Sequence, residues 1–140
     1  MNDMAFNFVS ALAVAGSAFV GMTHIVPRPA LSDYFEVAKL EAHRVGNTAY
    51  LTVDRTIKQP LHMGFTVRVL AEGREGWVEH CAMTSGTILY QPGRALPDPV
   101  TLDWWTWGRC PDLPTGNALI ETTWQPEGGL EPLTLTIEVE

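Results

Sequence analysis

The side chains with which this chain could do chemistry are few and scattered. Cys81 and Cys110 stand 29 positions apart, with His62, His80, Asp103 and Asp112 as the available company. Zinc sites usually carry tighter local pairs such as C-x2-4-C, so this set predicts no metal centre. A His80–Cys81 nucleophile pair is disfavoured, because adjacent strand residues point to opposite faces. The carboxylates show no spacing that selects two for glycoside chemistry. Gly73-x-x-Gly76 is too short for a phosphate-cradling loop and carries Glu72 and Glu75 around Arg74. The expectation is a non-enzymatic protein with no catalytic residues, cofactor or metal.

What the two cysteines can do is close a loop. A Cys81–Cys110 disulfide across about 30 residues is worth roughly 3.5 kcal/mol in the chain-entropy model. Such a bond points to an oxidising compartment, the periplasm or the outside of a cell. The alternative is two separate thiols packed as small hydrophobes.

The most distinctive local text is Leu102-Asp103-Trp104-Trp105-Thr106-Trp107-Gly108-Arg109-Cys110. Read as an extended strand over Thr101–Trp107, it projects Trp105 and Trp107 to one side and Trp104 to the other. Both sides cannot be core, so at least one ring is exposed or covered by a loop or partner. Trp104, Trp105, Trp107 and Arg109 form a candidate surface interface for a protein, with a glycan as the less favoured ligand. The competing reading puts all three rings in a small core. Arg55 and Arg68 are expected to pair with carboxylates on neighbouring strands.

Composition bounds the rest. The chain has 140 residues, 46% hydrophobic and 18% charged, with ten prolines, twelve glycines and five tryptophans. One domain is the natural prior at this length. A net charge of -7 argues against nucleic acid, whose binding is dominated by phosphate neutralisation.

Ala5 to Val26 contains no Lys, Arg, Asp or Glu. As a helix it would rise roughly 33 Å, against about 30 Å of bilayer hydrocarbon. Residues 1–26 therefore read as a single apolar helix, most simply a transmembrane anchor in a lipid bilayer. A cleaved secretory signal lacks its basic start here, and a helix buried in an oligomer is the third reading. Ala13, Ser17 and Gly21 recur every four residues and form a candidate helix interface through close approach. Arg28, Lys39 and Arg44 follow the helix, which by positive-inside counting leans towards a cytoplasmic domain. The cysteines lean towards the periplasmic or extracellular side, and the domain's chemistry takes precedence over three diluted charges.

Residues 27–34 form a Pro-containing linker, in which Ser32 could cap a short turn. Residues 35–140 read as an immunoglobulin-like antiparallel β-sandwich of about seven strands, because short apolar-polar runs alternate with Gly and Pro turns. In the first run Phe35, Val37 and Lys39 share one face and Ala38, Leu40 and Ala42 the other. Phe65, Val67 and Val69 face inward from the run at 65–70. The cleanest alternation is Leu133, Leu135, Ile137 and Val139. Gly46-Asn47, Gly73–Gly76, Pro92-Gly93 and Pro114–Gly116 supply turns, and Trp124 is placed to pack near Trp105 or Trp107.

Tyr90-Gln91-Pro92-Gly93, Leu102-Asp103-Trp104-Trp105, Cys110, Leu113-Pro114-Thr115-Gly116 and Thr123-Trp124 together resemble small uncharacterised proteins of temperate phages and prophages. The resemblance spans about 60 residues and implies a membrane-anchored or secreted sandwich with a cysteine pair. The function expected is an envelope or membrane-associated structural protein, a phage-linked accessory or assembly subunit. Its partner would be another protein, or its own copies in a homo-oligomer. The alternative is a virion structural protein whose apolar helix packs in a neck, tail or capsid element.

Overall fold

The computed structural model describes residues 29–140. The apolar segment 1–26 and its Ala13, Ser17, Gly21 stripe lie outside the described residues. No helix among the described residues is long and apolar enough to cross a membrane.

The strands form where β-branched and aromatic residues alternate with polar ones. In chain order they are β1 (Phe35–Val45), β2 (Thr48–Ile57), β3 (Leu61–Gly73), β4 (Gly76–Thr84), β5 (Ile88–Tyr90), β6 (Val100–Thr101), β7 (Ala118–Pro126) and β8 (Leu133–Val139). A 3-10 turn, Leu31–Asp33, leads into β1 and a single helical turn, α1 (Leu102–Trp105), follows β6. The 3-10 turn is closed by Asp33, not by Ser32, since the Asp33 carboxylate accepts the Ala30 N–H at 2.9 Å.

All pairings are antiparallel and fall into two sheets. One has the order β1-β2-β6; the other runs β4-β3-β7-β8, with β5 pairing the start of β3. Their facing sides share one core, so the architecture is a mainly β, sandwich-like fold. Immunoglobulin constant domains separate strands ABED from CFG. Here the first, second and sixth strands stand against the third, fourth, fifth, seventh and eighth, which is a different partition.

β3 is the central strand and behaves as its alternation requires. Met63, Phe65, Val67 and Val69 are buried, while Thr66 and Arg68 lie between them on the other face. Arg68 pairs with Glu121 at 3.0 Å and Glu79 at 3.3 Å, on the two flanking strands. In β8 the expected face is correct, but only Val139 is fully buried. The strand is the sheet's edge, so Leu133, Leu135 and Ile137 are half-covered.

β1 departs from simple alternation. A bulge between Val37 and Lys39 makes Val37 face Arg55 and Lys39 face Asp54 across the ladder. One inserted residue moves all later side chains to the opposite face. Phe35 and Val37 therefore share the inner face with Leu40 and Ala42, and Lys39 points out.

An aromatic chain joins the sheets. Phe35 of β1 lies 5.8 Å from Tyr90 and 5.4 Å from Trp124 between ring centroids. Phe65 stands 5.7 Å from Trp124 and 5.2 Å from Trp105, and Trp105 is 6.2 Å from Trp124. Such tilted and edge-on pairs contribute about 0.5–1.5 kcal/mol each beyond their area burial. Trp124 thus meets Trp105, as its sequence position suggests.

Candidate functional site

The tryptophan-rich segment is not the strand its composition suggests. β6 ends at Thr101 and the chain turns into α1. The Thr101 hydroxyl accepts the Trp104 N–H at 3.1 Å, a side-chain cap on a donor that a first helical turn leaves free. Thr106, fully buried, donates its hydroxyl to the Leu102 carbonyl at 2.9 Å and accepts the Cys110 N–H at 3.0 Å. The turn ends through Trp107 at φ 52° and Gly108 at φ 77°.

This geometry separates the three rings. Trp105 is 2% exposed and donates its indole N–H to the Thr122 hydroxyl of β7 at 3.0 Å. It is a core residue and does not belong to the surface set. Trp104 is 47% exposed and Trp107 56%, and Arg109 is also exposed. A bulky residue at left-handed φ is a backbone outlier. Glycine or asparagine would occupy that position at lower cost.

The segment is tied down on its far side. Cys110, fully buried, is disulfide-bonded to Cys81 of β4, with 5.9 Å between the Cα atoms. Neither cysteine is therefore a thiolate ligand or nucleophile. Among the described residues no group of three or more His, Cys, Asp or Glu could hold a metal ion.

Trp104 and Trp107 help to line a cavity of about 160 Å³. Tyr90, Phe65 and Trp105 supply aromatic wall, and Arg55 and Arg94 supply the charge. Among the described residues no Asp or Glu lines it. Arg94 comes from the proline-rich loop after β5, whose Pro92-Gly93 turn is closed by the Arg94 N–H donating to the Gln91 carbonyl at 3.3 Å.

The carboxylate partner expected for Arg55 is absent among the described residues. Arg55 is the inward member of the Asp54-Arg55 pair, and its guanidinium carbon sits 5.7 Å from the centre of the Tyr90 ring. Its Nε is shut off from solvent and has no hydrogen-bond partner. Burial lowers its pKa, with repulsion from Arg94 adding to the same direction. Burial also pushes the Tyr90 hydroxyl up to about 12, against the opposing pull of Arg55. Position alone could not reveal this constellation, because Phe65, Tyr90, Arg94 and Arg55 come from three strands and a loop. The one available signal was the rigid proline loop, a common carrier of binding residues.

Compared with protein-family models, with curated proteins and with solved structures, the chain gives no match in any of the three.

Proposed function

We propose that this chain is a non-enzymatic, membrane-associated interaction protein of the cell envelope, in which residues 1–26 form the anchor and the sandwich contacts a partner protein. The observation that carries this reading is Trp107, held at φ 52° and 56% exposed. Non-glycine residues pay about 1 kcal/mol or more for that conformation. A large apolar ring kept outside the core at such a cost is best understood as a contact residue, since interface hot spots are enriched in tryptophan. Trp104 and Arg109 extend the same surface.

The disulfide between Cys81 and Cys110 supports a periplasmic or extracellular domain, because such bonds persist in oxidising compartments. The phage-protein resemblance supports a phage-linked accessory or assembly subunit. Ala13, Ser17 and Gly21 would let the anchor pack against partner helices.

Mild detergent extraction of the native complex tests the reading. A stoichiometric partner should co-purify and be lost on Trp107→Ala, with Trp104→Ala weakening it. Full retention of the partner in the Trp104→Ala/Trp107→Ala double variant would overturn the assigned surface. A native assembly that stays soluble without detergent would replace the anchor with the virion reading.

A further inference from the structure

Arg55 is a cation on the inner face of a sheet with no anion beside it. Among the described residues it makes no side-chain hydrogen bond or ion pair, and its only close compensation is the face of Tyr90. A planar guanidinium fork matches a carboxylate through two parallel hydrogen bonds. The cavity it lines holds a second arginine, Arg94, and no carboxylate of its own. The rest of its lining is largely aromatic, with Phe65, Tyr90, Trp104, Trp105 and Trp107 all contributing.

We propose that this cavity is a binding site for a small monocarboxylate carried on a single flat ring, a ligand of the benzoate class. Size favours it: the cavity measures about 160 Å³, and an engineered apolar cavity of about 150 Å³ is filled by benzene. Charge favours it because an incoming carboxylate removes both the missing counter-charge of Arg55 and the repulsion between Arg55 and Arg94. The ring would lie against aromatic wall while the carboxylate meets the guanidinium. The site goes beyond the partner-contact reading and does not require it, since it rests on Arg55, Arg94 and Tyr90 whereas the partner surface rests on Trp104, Trp107 and Arg109.

The full chain in detergent is titrated with benzoate, and tryptophan fluorescence and calorimetry are followed. Benzoate should bind saturably, and its neutral isostere benzamide at least tenfold more weakly. Arg55→Met should cost at least tenfold in benzoate affinity. Arg55→Lys keeps the cation but not the fork, and should cost about fivefold while leaving the thermal midpoint near that of the parent. Arg94→Ala should weaken binding severalfold. Equal binding of benzamide, or undiminished benzoate binding by both Arg55 variants, would overturn the proposal. So would inorganic phosphate binding as tightly as benzoate, which would reduce the site to a cationic patch. Tighter binding of a peptide ending in phenylalanine with a free carboxylate would reassign the site to a polypeptide end. None of these results bears on whether a partner co-purifies.

Discussion

Removing the Cys81–Cys110 bond as a Cys81→Ser/Cys110→Ser double variant releases a loop of 29 residues from the unfolded chain's constraints. The chain-entropy relation gives about 12 cal/mol/K for that closure, or roughly 3.6 kcal/mol at 25 °C. Small domains are stable by only about 5–15 kcal/mol, so the loss should be plain. With a urea dependence of about 1.5 kcal/mol/M, the unfolding midpoint should fall by about 2.4 M. The bond also anchors the end of the segment carrying Trp104 and Trp107, since the Cys110 N–H donates to the Thr106 hydroxyl and its sulfur is bonded to β4. Reduction of the parent chain with a thiol reagent should reproduce the shift and broaden the indole resonances of the two exposed rings. A loss below about 1 kcal/mol with an unchanged urea dependence would refute the reasoning that loop closure dominates this cross-link's contribution.

Trp107→Asn replaces a ring at φ 52° by a residue that tolerates left-handed backbone, so stability should rise by about 0.5–1 kcal/mol in thermal unfolding while partner binding is lost; a fall in stability would contradict the strain argument. Thr122→Val leaves the buried Trp105 indole N–H without its acceptor, which should cost about 1–3 kcal/mol in urea titrations, whereas a neutral result would mean the bond contributes nothing. An unfolded tyrosine loses its proton near about pH 10, but folded Tyr90 keeps its proton to about 12. Its contribution is therefore complete below the unfolded value and disappears as pH rises through the folded one. On the order of 2–3 kcal/mol should be lost across that window relative to Tyr90→Phe, and parallel pH profiles of the two proteins would exclude the effect.

Most of the sheet architecture was legible because it follows local alternation. β8 carries an uninterrupted period of two and β3 keeps one from Leu61 to Val69, and the glycine turns at 46, 73–76 and 93 sit where hairpins or loops need them. β1 was misread after Val37, because a bulge changes face without leaving a mark in composition. Thr101–Trp107 was misread because tryptophan and threonine suit strands. The overriding signals were a capping threonine, Asp103 in the first turn and Gly108 just beyond, which together mark a helical turn. The expected carboxylate pair forms at Arg68, whose partners lie on adjacent strands, and among the described residues is missing at Arg55. The difference lies in facing: Arg68 points away from the core and Arg55 into it. Which loop residue would meet Arg55 there depends on how the two sheets stack, information that no window of sequence holds.

Arg44 has a consequence for how this fold could vary. From β1 its guanidinium donates to the carbonyls of Pro114, Gly116 and Glu140, reaching the 111–117 connection and the end of the chain at once. One side chain of fixed reach thus acts as a gauge for the length of that connection. Insertions are tolerable in the glycine-containing turn between β7 and β8, where among the described residues no arginine brace of this kind spans the gap. In the 111–117 connection an added residue would displace carbonyls that Arg44 has no slack to follow, so natural variants should differ in length at the first place and keep it at the second.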